Sequence, residues 1–136
     1  MKGKPPRLGE VFQSYDHPVW FVTLCTRERQ AALANEVVHT AFVGYAIRGR
    51  EFGVAVGRYV IMPDHVHLFV SGSRNFDLGT WVRGLKRALQ KAAGTAAATP
   101  LWQPGFFDHL LRHEESYAGK WEYVDRKSTR LNSSHL

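Results

Sequence analysis

One cysteine, Cys25, among 136 residues leaves no partner for an intrachain disulfide. That shortage excludes a cysteine-rich zinc site and the disulfide scaffold of a small secreted domain. Long apolar runs are missing too. The longest, Val19 to Cys25, falls far short of the roughly 20 residues that cross a bilayer. The basic start, Met1 to Arg7, is not followed by the apolar core of a signal peptide, and no internal repeat is present. Together these absences predict a soluble, cytoplasmic protein with no membrane partner. Negative charge is also scarce, 12 Asp and Glu against 18 Lys and Arg, for a net charge of +6. The imbalance favours an anionic partner, nucleic acid foremost. With 44% hydrophobic and 22% charged residues the chain is globular, and 136 residues suffice for one domain with a core but not for two.

What is present alternates between strand and helix periods. Val19–Cys25 is rich in β-branched and aromatic residues and predicts a strand ending in the polar turn Thr26 to Arg29. Leu33, Val37, Val38, Ala41, Phe42 and Tyr45 recur every three or four residues, the stripe of a helix closed by Gly49 and Gly53. Val54 to Ile61 and His65 to Val70 predict two strands meeting at Met62-Pro63-Asp64, since Pro63 has no donor and Asp64 favours turns. A second helix follows, with Asn75 or Asp77 as its N-cap. Its apolar face is Leu78, Trp81, Val82, Leu85, Leu89 and Ala92, while Arg83, Lys86, Arg87 and Lys91 make the other face basic. Ala93 to Pro100 reads as a linker, Leu101 to His109 as a strand-like aromatic segment, and Glu114 to Val124 as a third helix. This order fits an α+β, ferredoxin-like sandwich: an antiparallel sheet with helices on one face and the other face left for a ligand.

Chemistry concentrates between Tyr59 and Val70. His65 and His67 are two residues apart in an apolar strand and therefore share a face. Two neutral imidazoles at a fixed separation suit a divalent metal, but without a third ligand the spacing equally fits two hydrogen-bonded surface histidines. The basic helix face can neutralise phosphates or simply face water. Trp102, Phe106 and Phe107 can stack on unpaired bases or fill the core. Tyr117 and Tyr123 are ordinary helix-face residues by spacing alone. Beside a cation, either phenol could instead attack a phosphate, and the resulting ester would keep the bond energy for later rejoining.

Met62-Pro63-Asp64-His65-Val66-His67-Leu68, preceded by Val22-Thr23-Leu24-Cys25-Thr26-Arg27 and followed by Trp102-Gln103-Pro104-Gly105-Phe106-Phe107-Asp108-His109, closely resembles the REP-associated tyrosine transposases. These belong to the single-tyrosine, His-hydrophobe-His superfamily of single-strand transposases, and the resemblance spans roughly residues 12 to 124. It implies an RRM-like core and a metal-dependent single-stranded DNA endonuclease and strand transferase acting on hairpin DNA. In that reading His65 and His67 hold Mg²⁺ or Mn²⁺, and a tyrosine on the C-terminal helix attacks the DNA phosphate to give a 5′-phosphotyrosine link. The family motif Tyr-Ile/Val-x-x-Asn/Gln matches Tyr123-Val124-Asp125-Arg126-Lys127, which assigns the nucleophile to Tyr123 and leaves Tyr117 in reserve. Arg83, Lys86, Arg87, Lys91 and Trp102 are the expected DNA contacts.

One position departs from that pattern. Lys127 stands where the family has an Asn or Gln that shares a helix face with the tyrosine and can complete the metal site. The polar, patternless run Asp125 to His135 resembles a translated sequencing adapter. The expectation is one transposase-like catalytic domain over residues 1–124, followed by an anomalous, foreign tail over 125–136 that impairs activity. The alternative, favoured by Lys127, is a non-catalytic single-stranded nucleic-acid-binding module on the same fold. A hydrolase of small phosphate esters would use the histidine pair but leave Tyr123 and the basic helix unexplained. Monomer and homodimer both remain compatible with the sequence.

Overall fold

A computed structural model describes residues 18–94, 97 and 100–111. The elements run β1 (Val19–Cys25), a short 3-10 turn (Arg27–Arg29), α1 (Glu36–Arg50), β2 (Ala55–Ile61), β3 (His65–Ser71), α2 (Leu78–Ala93) and β4 (Phe107–Leu111). The strands form one sheet in the order β2-β3-β1-β4, with every neighbouring pair antiparallel. This is the split β-α-β arrangement of a ferredoxin-like sandwich. The expected third helix, with Tyr117 and Tyr123, lies outside the described residues.

Strand alternation divides the sheet into two faces. Val22 and Leu24 of β1 and Val66, Leu68 and Val70 of β3 pack with Val38, Phe42 and Ala46 of α1 and with Trp81, Val82, Leu85 and Leu89 of α2. The intervening residues face the other way, where Phe21, Val60, Phe69 and Leu111 form a smaller apolar cluster. A bulge between Val56 and Tyr59 of β2 shifts the pairing. The extra residue breaks the period of two, so Val56, Tyr59 and Ile61 all join the helix-side core while Val60 turns to the opposite face.

The helices differ in detail from the periodicity. The Asn35 side chain accepts from the Val38 backbone N–H at 2.9 Å, so α1 begins at Glu36, and Leu33 is buried ahead of it rather than within it. Val37 is 62% exposed and does not belong to the buried stripe. Asp77, not Asn75, caps α2. No helix among the described residues is long and apolar enough to cross a membrane.

Candidate active site on the sheet face away from the helices

The site begins at the turn between β2 and β3. Pro63 contributes only a carbonyl, which accepts from Leu33 N–H at 3.0 Å. The Asp64 carbonyl accepts from both the N–H and the hydroxyl of buried Thr26, at 3.0 and 3.2 Å. The loop before α1 and the end of β1 thus clamp the turn from both sides. Glu28 and Arg29 follow Thr26 with φ of 54° and 57°, a conformation that non-glycine residues seldom adopt. From there Arg29 Nε donates to Asp64 Oδ2 at 2.9 Å.

The other carboxylate oxygen, Oδ1, lies 2.7 Å from His65 Nδ1. Burial pushes the Asp64 carboxyl up, but its hydrogen bonds with His65 and Arg29, and their charges, outweigh that and hold it below the usual carboxylate range. His67 is anchored separately: its Nδ1 is 2.9 Å from Thr23 Oγ1, and its ring stacks on Phe21 with centroids 5.4 Å apart and planes 13° apart. The two imidazoles meet edge to face with centroids 4.8 Å apart. As the spacing predicted, the two rings share a face, and it is the one opposite the helices. Each is gripped at Nδ1 by an oxygen, the arrangement that orients a histidine to coordinate through Nε2. Among the described residues no group of three His, Cys, Asp or Glu side chains could hold a metal ion.

Register extends this face outward. Cys25 is directly opposite His65, and Thr23 lies between His67 on β3 and Phe107 on β4. Burial, followed by the Asp64 charge, raises the Cys25 thiol above its ordinary value. Phe107 is 66% exposed, and β4 is an edge strand of the sheet.

The expected DNA contacts separate into two groups. Arg83, Arg87 and Lys91 are exposed on α2, in the helical layer, with the sheet between them and the histidines. Arg87 also lines a cavity of about 690 Å³ between α1 and α2, together with Arg48, Tyr45, Phe52 and Trp81. Trp102 is buried, and half-buried Lys86 is tied to the same segment. Lys86 Nζ donates to the carbonyls of Gln103 and Gly105, and burial lowers its pKa. Trp102 is only 8% exposed, packs in the helix-side core and donates its indole N–H to the Lys86 carbonyl at 2.9 Å. These contacts tie the segment before β4 to α2. Sequence reasoning gave no role to Thr23 or Arg29 and read Asp64 only as a turn former.

The antiparallel ferredoxin-like sheet thus carries two oxygen-anchored histidines on the face away from its helices. Residues 11–118 match the IS200-like transposases, and the chain belongs to that family. Two solved structures share the fold. The structure of a REP-associated tyrosine transposase bound to a REP hairpin has a TM-score of 0.65 and 22% identity, covering 79% of this chain and 64% of that one. A candidate transposase from Deinococcus radiodurans R1 has a TM-score of 0.57 and 19% identity, covering 95% and 99% respectively. This chain therefore spans less than two thirds of the hairpin-bound protein. No curated protein matches its sequence.

Proposed function

We propose that the chain is a single-stranded DNA endonuclease and strand transferase of the transposase type, acting beside DNA hairpins. The observation that carries this reading is the pair His65 and His67 on one face of the sheet, each anchored at Nδ1 by a side-chain oxygen. Mg²⁺ or Mn²⁺ held by these imidazoles would supply polarisation of the scissile phosphate. Asp64 and Thr23 keep the two rings oriented, and Arg29 keeps Asp64 in place. Tyr123 is the nucleophile. Its phenol gives up a proton, its oxygen bonds to phosphorus, the bond from phosphorus to the 3′ oxygen breaks, and that oxygen takes up a proton. The products are a 5′-phosphotyrosine link and a 3′-hydroxyl. Arg83, Arg87 and Lys91, with Arg48 beside the cavity, grip the hairpin backbone from the helical layer. The membership in a transposase family, the net charge of +6 and the fold shared with a hairpin-bound transposase support this assignment.

Lys127 favours a second reading, in which the chain binds single-stranded DNA without cutting it. A cation four residues beyond the nucleophile offers no acceptor to a metal. Incubating the protein and Mn²⁺ with a hairpin that bears a single-stranded flank and a 3′-end label separates the two. Cleavage leaves a labelled band retarded on a denaturing gel, enhanced by Lys127→Asn and abolished by Tyr123→Phe. An adduct that survives Tyr123→Phe moves the nucleophile to Tyr117, and no adduct even with Lys127→Asn leaves the binding module as the answer.

A further inference from the structure

The strand-like aromatic segment holds three large aromatic residues, and the fold sorts them. Trp102 is buried in the helix-side core, and Phe106 packs against that core. Phe107, the next residue, is 66% exposed at the start of the edge strand. Its cross-strand neighbour is Thr23, whose own neighbour on the far side is His67. Directly opposed residues share a face, so Phe107, Thr23 and His67 form one row across three strands. Two strand spacings put the ends of that row about 10 Å apart at the backbone. No strand among the described residues pairs beyond β4. His109, two residues along and on the same face, is exposed as well. Exposed Arg27 and Arg29 stand at the end of β1 nearest this row.

Among the described residues, nothing in the packing accounts for an exposed phenyl ring here. Burying it would stabilise the fold by about 2 kcal/mol, yet the edge strand turns it out, level with the histidine pair. Resting on the functional reading above, we infer that Phe107 is a stacking platform for an unpaired base of the single-stranded DNA next to the cleaved phosphate. Every base offers a π-face, so such a platform accepts any sequence while setting how far the strand lies from His67. The surrounding arginines suit the phosphates on either side of the stacked base.

The test compares two DNA probes in low salt: a hairpin with a single-stranded flank containing 2-aminopurine, and the same hairpin with a blunt end. The parent protein binds the flanked hairpin more tightly and quenches the 2-aminopurine fluorescence. Phe107→Ala and Phe107→Leu weaken flanked-hairpin binding roughly ten- to hundredfold and remove the quenching, leaving blunt-hairpin binding unchanged. Phe107→Tyr restores both. The leucine variant keeps an apolar side chain without a π-face, so an affinity equal to the parent's would overturn stacking. Equal losses on both probes would overturn it too, since the ring would then be serving the fold or the stem. If the parent shows no preference for a flank, the functional reading fails and takes this inference with it. A preference that persists in Phe107→Ala defeats the inference alone.

Discussion

Asp64 does more than turn the chain. It accepts hydrogen bonds from Arg29 and His65 through different oxygens, and such outer carboxylates commonly govern how well a histidine holds a metal. Asp64→Asn is expected to weaken Mn²⁺ binding roughly ten- to hundredfold, read by titration calorimetry without DNA or turnover. Unchanged affinity would reduce Asp64 to a turn residue. The same carboxylate sets a pH dependence. Its folded-state pKa is lowered, so its contribution to stability is present above the unfolded value of about 3.9 and is lost as pH falls through the lowered folded value. Asp64→Asn should therefore flatten the stability curve below about pH 4. The histidines were legible because strand alternation alone puts them on one face. Thr23 was not, because it is 44 residues from His67 and only the register of β1 against β3 joins them. Trp102, expected at the DNA, is mostly buried, because density of aromatics says nothing about which of them points inward.

The helices show where local pattern succeeds and where partners decide. α2 alternates so cleanly that its buried set, Trp81, Val82, Leu85 and Leu89, was visible in the sequence. α1 was legible as a helix but not in its start, because a cap at Asn35 cut off Leu33, which packs from the loop instead. Gly84 of α2 packs against Tyr45 of α1. A Cβ there would stand 2.2 Å from the Tyr45 hydroxyl, which donates to the Trp81 carbonyl at 2.7 Å. Gly84→Ala sets two effects against each other. Alanine's helix propensity gains about 1 kcal/mol, while forcing Tyr45 aside costs about 2 kcal/mol. A net loss of about 1 kcal/mol is expected from urea unfolding. In a Tyr45→Phe background, which removes the clashing oxygen, most of that loss should disappear. Similar losses in both backgrounds would place the crowding elsewhere.

At the scale of the whole molecule, element order was enough to give the ferredoxin-like topology, since two strand-helix-strand units around a central hairpin have few compact arrangements. The side from which each charged group looks out was not available, because it depends on which sheet face the helices cover. The proposed grip on DNA is thus on one layer and the proposed chemistry on the other. Replacing Arg83, Arg87 and Lys91 together by alanine should weaken hairpin binding and lower its salt slope by about 2–3 units, while Mn²⁺ affinity stays at the parent's value. Lys86 is left out of that set because its ammonium is committed to the Gln103 and Gly105 carbonyls. A matching fall in Mn²⁺ affinity would mean that the two layers communicate. On that proposal their separation would also make the protein a ruler. DNA held against the helices has to pass round the edge of the sheet before it meets His67, a detour of at least one helix thickness, about 10 Å. A stem too close to its target would then be grasped yet never opened, and the shortest usable spacer would be dictated by how thick the protein is, not by any letter of the DNA.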